Sequence, residues 1–451
     1  MMNHTHFLSF QKNKRFTLLT HLPWLICSGV IFVLLWKFRV DFPHLDEWEA
    51  FNLNALDSKL NWNWIIGFHN EHHIVFTTFL TWLLYHLNGW DIGINILINF
   101  GLYFGSLVLL LLIAKKTKSG LFFPLAMIPL VSMMSLENLT WAFQSQFFFC
   151  LLFLLLAIFF GVTQSFSVLN RCIAILCLIA CQYSFSAGIG VSIVLSAFIS
   201  YHDKKQAVRN EKILVLSTFS LPLLTAVLWF HGLRQSMSYL TWPWTIHFWK
   251  GCWWLIGYGF GFENQTIQLM VGGFFLSIFS HFLIRRSIKS LHPSSSFHKA
   301  RGDSWIALGM SLFAIAATLT LGRYRIHLCL SRYSTFMMLV IPIYFGIIYQ
   351  SFLLKWITND IRKILTVIGI LLICTGYWNR FSYKRIISVM DSRDQNLKFV
   401  VQSIENHKKN IFCYAYPDNL KTRVDRALQL GIAQRWKKSV ENASIIQEKI
   451  F

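Results

Sequence analysis

The chain is a succession of long apolar runs separated by short polar breaks. The runs fall at about 17–36, 92–114, 121–136, 145–162, 169–184, 187–201, 213–230, 266–284, 304–321, 333–350 and 364–378. Most approach the roughly 20 residues that a helix needs to cross a bilayer. The apolar stretch His73 to Leu87 is too short for a crossing and predicts an interfacial helix or half-span. The pattern therefore predicts an all-α polytopic membrane protein with about eleven transmembrane helices. The first run has no small-x-small cleavage site and continues into polar sequence, the pattern of a signal anchor. Beyond residue 378 the apolar runs stop. Residues 379–451 contain a strand-like stretch at Asn410–Tyr416, a Tyr416-Pro417-Asp418 turn and an amphipathic stretch at Thr422–Arg435. The expected parts are an N-terminal arm at 1–16, a membrane domain at 17–378 and a small polar C-terminal domain at 379–451.

Charge orients these elements. Lys12, Lys14 and Arg15 precede the first run, so the positive-inside rule puts the N-terminus in the cytoplasm and the loop 37–72 outside. Lys115, Lys116 and Lys118, then Lys204, Lys205, Arg209 and Lys212, then Arg285 and Arg286, mark later cytoplasmic loops. Counting crossings leaves the C-terminal domain on the external side. Hydrophobic residues make up 55% of the chain and charged ones 14%, against roughly a quarter charged in a soluble domain. The net charge of +21 follows in large part from topology and implies no nucleic-acid partner. Nine cysteines lie mostly in apolar runs without zinc spacing, which favours free thiols over disulfides. No internal repeat is visible, which speaks against a transporter built from paired halves.

Acids are scarce, 20 against 41 Lys+Arg, so the places where they gather matter. The first loop holds His44-Leu45-Asp46-Glu47-Trp48, followed by His69-Asn70-Glu71-His72-His73. Burying a bare carboxylate costs several kcal/mol, so these acids must be solvated, paired or at work. Asp46, with Glu47 beside it, is the candidate catalytic base for an attacking hydroxyl. Asn70, Glu71, His72 and His73 are candidates for orienting that base or holding sugar hydroxyls. A divalent metal ion is a candidate cofactor, with Asp46, Glu71 and His72 as its ligands. For His44 and His69 a solvated loop is the simpler explanation.

A second patch is Gly322-Arg323-Tyr324-Arg325 with Ser331-Arg332-Tyr333. Arginines on an outer face run against the positive-inside rule, and a guanidinium there suits a departing phosphate. Arg332 is the first candidate ligand, with Arg323 and Tyr333 beside it; pairing with lipid headgroups is the alternative. The third patch is Glu137-Asn138-Leu139-Thr140-Trp141-Ala142-Phe143-Gln144-Ser145-Gln146. Glu137, Trp141 and Gln144 suit sugar recognition by hydrogen bonds and ring stacking, against an aromatic belt at the interface. Trp242-Pro243-Trp244 and the tryptophans from Trp249 to Trp254 are assigned to that belt, and the Tyr183–Gly188 turn owes its glycine to packing.

An acid pair after the first span, a polar motif opening the next helix, and a span ending in lysines form a layout that resembles the GT-C superfamily of membrane glycosyltransferases. That superfamily includes protein O-mannosyltransferases and the aminoarabinose transferases of lipid A. Asp46-Glu47 matches their acidic pair, and Asn70-Glu71-His72-His73 stands where they carry a proline motif. The combination with Glu137-Asn138…Trp141…Phe143-Gln144 and Gly322-Arg323…Ser331-Arg332-Tyr333 is similar to bacterial serotype-converting O-antigen glucosyltransferases. The resemblance covers about 17–378. It implies a GT-C-like fold and an inverting transfer of a hexose, such as glucose, from undecaprenyl phosphate. The implied acceptor is an O-antigen or another lipid-linked or lipopolysaccharide glycan, at the periplasmic face of the bacterial inner membrane. Membrane lipid is the other implied partner. The sequence has no P-loop or dinucleotide-binding motif, in keeping with a lipid-borne donor. The alternatives are an envelope-polysaccharide flippase or transporter, and an O-antigen polymerase or ligase.

Overall fold

The computed structural model describes residues 4–51, 55–56, 59–70, 72–119, 123–132, 136–203, 212–230, 240–290, 299–324, 330–353, 357–377, 391, 394–398, 401–402 and 420–436. Among them the regular structure is helical apart from one hairpin of two-residue strands, β1 (Phe68–His69) and β2 (His72–His73). The helices are α1 (His4–Phe38), α2 (Trp62–Ile65), α3 (Val75–Asn88), α4 (Ile92–Lys116), α5 (Leu136–Leu139), α6 (Ser145–Ile158), α7 (Val168–Gln182) and α8 (Ala187–Asp203). After them come α9 (Lys212–Phe230), α10 (Ile246–Tyr258), α11 (Gln265–Ser290), α12 (Lys299–Arg323), α13 (Leu330–Met337), α14 (Val340–Leu353), α15 (Asn359–Tyr377) and α16 (Leu420–Gln429).

The protein is an all-α membrane protein, and seven of its described helical segments are long and apolar enough to span a bilayer. They are Thr20–Lys37, Ile92–Lys116, Ala142–Thr163, Lys212–Phe230, Gln265–Ser287, Asp303–Arg323 and Arg332–Ser351. Among the described residues the eleven helical spans expected from the pattern are not reached. α7 and α8 are apolar but shorter, at 15 and 17 residues. α15 is 19 residues long but opens with Asp360, Arg362 and Lys363.

The segment 121–136 departs most from expectation. Its described part forms short 3-10 turns, Phe123–Met127 and Pro129–Val131, because Pro124 and Pro129 each remove a backbone donor. Trp305 donates to the Ser119 hydroxyl at 2.8 Å at one end of the bundle, and Asn138 donates to the Arg332 carbonyl at 2.6 Å at the other. Ser119 and Asn138, which flank the segment, thus lie toward opposite ends of the bundle, and its described part contains no long helix. Irregular backbone at that depth is tolerated only inside protein, and Phe123, Met127, Leu130 and Val131 are indeed buried. The Tyr103 hydroxyl donates to the free Leu130 carbonyl at 2.5 Å.

One end of the bundle gathers several helix termini. α1, α7 and α9 finish there, and α4, α6, α8 and α13 start there. Contacts join them: Ile92 N–H to the Asp41 carboxylate at 3.0 Å, Val75 N–H to the Tyr183 carbonyl at 2.9 Å, and the Ser145 hydroxyl to Thr77 Oγ1 at 2.9 Å. α7 and α8 meet closely because position 188 is glycine: a Cβ there would lie 2.1 Å from the Cys181 carbonyl oxygen. The six cysteines described are all free, Cys150 and Cys181 with their sulfurs 3.5 Å apart.

The opposite end is closed by a buried ionic cluster that the apolar pattern hid. Arg171 on α7 grips both oxygens of Asp203 at the end of α8, through Nε and through Nη2 at 2.6 Å, with both side chains fully buried. Arg171 Nη1 also donates to the Phe160 carbonyl at 2.7 Å. His202 lies 3.5 Å from Asp203 and 3.5 Å from Asp303, and Arg286 donates to Asp303 at 2.8 and 3.0 Å. Four helices are clasped by this set.

The C-terminal segment packs back on the first loop. α16 and the turn after it put Val424, Ala427, Ile432, Ala433 and Trp436 into the core. The strand expected at Asn410–Tyr416 and its turn lie outside the described residues.

Candidate functional site

The first loop folds into a 3-10 turn, Leu45–Phe51, in which residues three apart share a face. This separates the two acids. Glu47 is fully buried, and its carboxylate accepts the His44 N–H at 2.7 Å and the Ala142 N–H at 2.5 Å. It clasps the first patch to the third. Asp46 points elsewhere: its side chain is 44% exposed, with His69 Nε2 at 3.9 Å. The expected acid pair is thus one structural carboxylate and one open one. Glu47→Ala would leave the buried Ala142 N–H without its acceptor, at about 1–3 kcal/mol, and the part-buried His44 N–H without its own at a smaller cost. Thermal or denaturant unfolding in detergent should register that loss even where no substrate is present.

The polar motif after it forms a hairpin rather than the start of a helix. Phe68 pairs with His73 and His69 with His72, and Asn70 begins the tight turn between the two strands. Such turns need positive φ, and Asn70 adopts φ 53°, which asparagine tolerates better than most residues. The hairpin sends its histidines to different tasks. His73 donates from Nδ1 to the Ile66 carbonyl at 2.7 Å and packs among Phe68, Tyr183 and Trp229, so its role is structural. His72 lies 4.8 Å from the Phe185 ring, and burial, reinforced by the charge of His69 and opposed by Asp46, pushes its pKa down to about 3. It is a neutral ring at any working pH. His69 turns toward Asp46, with its ring edge against Phe143 at 5.6 Å.

The third patch supplies the floor. Trp141 is 2% exposed, and its loop is held from below by Asn99 of α4, whose amide donates to the Trp141 and Ala142 carbonyls at 3.1 Å each. His44 packs edge-on against Trp141 at 5.5 Å. The Arg332 guanidinium lies over the same indole, 4.7 Å from the ring centroid, a cation–π contact. Asn138 fixes Arg332 by donating to its carbonyl at 2.6 Å and to the Thr335 hydroxyl at 2.8 Å. The indole Nε1 of Trp141 is buried and has no hydrogen-bond partner among the described residues. Asp46, His44, His69, Trp141, Phe143 and Arg332 therefore share one place at one end of the bundle.

The electrostatics are consistent with that grouping. Burial alone would raise the Asp46 carboxyl, but the polar contact and charge of His69, then the charges of Arg332 and His44, outweigh it. The group is held below its ordinary value and stays ionised at neutral pH.

Other expected residues sit apart or deeper. Tyr333 is buried in the core with its ring 6.2 Å from Phe147. Gln144 is buried and accepts from the Gln146 amide at 3.4 Å. Arg323 closes α12 beside Tyr324, which packs against His247 at 5.8 Å, while the arginine charge that reaches Asp46 is that of Arg332. Asn70 is exposed at the hairpin tip, Glu71 lies outside the described residues, and so does the Glu137 side chain. Among the described residues no group of three or more His, Cys, Asp or Glu side chains could hold a metal ion; of the expected ligands Asp46, Glu71 and His72, Glu71 is not among those residues. His44 and His69, assigned from sequence to a solvated loop, are the two histidines that bear on Asp46. The hint was their spacing from the acid pair, which a hairpin of unknown register could not turn into a contact. The roles of Asn99 and Asn138 were not legible because their partners lie far away in sequence.

No protein-family model, no curated protein and no solved structure matches this chain.

Proposed function

We propose that the protein is a membrane glycosyltransferase of GT-C type, inverting at the anomeric carbon. It moves a hexose from a polyprenyl phosphate to a cell-envelope glycan at the periplasmic face of the inner membrane. The observation that carries this reading is one ionised, solvent-open carboxylate, Asp46, grouped with a guanidinium, Arg332, at the end of a membrane helix bundle. The reaction asks for those two groups. A hydroxyl attacking the anomeric carbon gives its proton to a base, and the phosphate leaving with the bonding electrons gains charge that a guanidinium stabilises. Trp141 is buried beneath the Arg332 guanidinium and helps to hold it in place, and the lipid tail of the donor would remain in the bilayer beside the bundle. In this reading α7, α8, α15 and the 3-10 segment 123–131 also cross, giving about eleven crossings by the charge pattern of the loops.

Arg332→Ala is expected to lower the turnover number by about 10²–10³-fold, the usual cost of losing one donor to a developing oxyanion. Arg332→Lys should recover only part of it, because a lysine keeps the charge but loses the planar fork. The measurement is transfer of labelled hexose from a polyprenyl-phosphate donor in isolated membranes, with sugar analysis of envelope polysaccharide in cells. Unchanged transfer by a folded Arg332→Ala protein would end the proposal.

A further inference from the structure

The C-terminal segment is bolted to the turn that carries Asp46, and its contacts cover more than one face of that turn. Trp48 and Phe51 share a face by the three-residue repeat, and both rings pack on Trp436, at 5.7 and 6.0 Å. Phe42 closes the same aromatic box at 5.3 Å, and Trp436 is fully buried. Glu49 shares the face of Asp46, three residues away, and its carboxylate accepts from Arg423 of α16 at 2.8 Å. The remaining face, that of Glu47, is tied to Ala142. Among the described residues the Asp46 carboxylate has only His69, at 3.9 Å, within ion-pair distance. Its position is set by what holds its neighbours.

Arg435 locks the base of the loop. Its Nη1 donates to the Asn88 carbonyl at 2.5 Å and its Nη2 to the Trp90 carbonyl at 3.1 Å, while Nε lies 3.2 Å from Asp41. Asp41 in turn accepts the first N–H of α4, that of Ile92. The guanidinium fits over Gly89, where φ is 69° and a Cβ would come within 2.8 Å of Nη1. One side chain thus joins the end of α1, the α3–α4 turn and the C-terminal segment.

We propose that Arg423, Arg435 and Trp436 are positioning residues, and that the C-terminal segment splints the Leu45–Phe51 turn so as to set the Asp46 carboxylate against His69 and Arg332. The catalytic consequence rests on the reading of Asp46 as the base; the splint itself does not. None of the three residues touches the reacting atoms. A misplacement of about 1 Å in a reacting group is enough to cost roughly 10²-fold in rate.

The test uses the full chain and separates the two ideas. Cysteine is placed at position 46 (Asp46→Cys), and its alkylation by a membrane-impermeant maleimide is followed by mass spectrometry of the peptide that contains it. Asn63→Cys, on the exposed side of α2, serves as the control for access and folding. Trp436→Ala and Arg435→Ala are each expected to change the rate at position 46 severalfold and to leave position 63 unchanged, with Arg435→Lys closer to the parent. Arg423→Ala, the milder lesion, covers the case in which Trp436→Ala does not fold. In the Asp46 background the same variants should lower the turnover number about 10–100-fold with the donor KM little changed. An unaltered rate at position 46 in any folded Trp436→Ala, Arg435→Ala or Arg423→Ala protein overturns the splint. An altered rate at position 46, together with full transfer by Asp46→Asn, keeps the splint and removes the catalytic reading instead.

Discussion

Asp46→Asn is expected to reduce hexose transfer by about 10²–10⁴-fold, the usual contribution of a positioned base. That corresponds to about 3–5 kcal/mol of barrier. Folding should be spared, because the side chain is half-open to solvent and its near neighbour His69 stands at 3.9 Å. The pH profile carries a second signature. A carboxyl held below its ordinary value stays charged as pH falls, so activity should persist until below pH ~3.9, the usual aspartate midpoint. His69→Gln removes the partner that does most to oppose burial, so the protonated form is favoured and the pKa rises. The acid limb of the profile should then move to higher pH. His72 should contribute no inflection near pH 6 to 7, because burial keeps its ring neutral. Transfer by Asp46→Asn at the parent rate, measured on membranes with equal protein content, would rule the base out.

A carboxylate with a depressed pKa is a weak base, and this shapes how the rate would be supplied. Proton removal from a hydroxyl then matters late in the reaction, after the bond to phosphate has begun to break. Placement of the two substrates and the charge of Arg332 would carry the larger share. For that reason the effect of Asp46→Asn is expected toward the lower end of its range, comparable with that of Arg332→Ala.

Much of this arrangement was legible in the sequence, and the illegible parts have physical causes. Long apolar runs gave α4, α9, α11 and α12 nearly to their ends, because a helix in lipid must satisfy its own backbone and leaves no other choice. The run at 121–136 misled because most of its described residues are buried in protein rather than lipid, where proline-broken turns are tolerated. The acid pair, Trp141 and Arg332 stood out by type. Their division of labour did not, since it depends on the three-residue repeat of a 3-10 turn that apolar periodicity does not report. Glu47 looked like a second catalytic acid and is a clasp for the Ala142 N–H. The C-terminal segment looked like an appended domain, yet Arg423, Arg435 and Trp436 pack on the loop of the candidate base. Nothing local in residues 420–436 announces a partner nearly four hundred positions earlier.

The Arg171–Asp203 pair is the other feature hidden by the apolar pattern, and it supports the sharpest stability prediction. Asp203→Ala is expected to cost about 3–5 kcal/mol, because Arg171 would keep a buried charge with the Phe160 carbonyl and the Phe166 ring as its neutral partners. His202 would lose one of its two carboxylates, which weakens the link to Asp303 and Arg286. Removing both charges at once, as Arg171→Met with Asp203→Leu, should restore most of that loss, since two buried ions that attract each other also share a large desolvation cost. Unfolding in detergent measures both, and an undamaged Asp203→Ala protein would contradict the buried pairing. The same double variant separates the functional readings. α8 is 17 residues long, so about 25 Å of helix lies between this cluster and the Asp46 end. A transferase that works at the Asp46 end should retain transfer once the double variant is folded. A flippase or transporter relying on ionisable groups along its path would lose its flux with them.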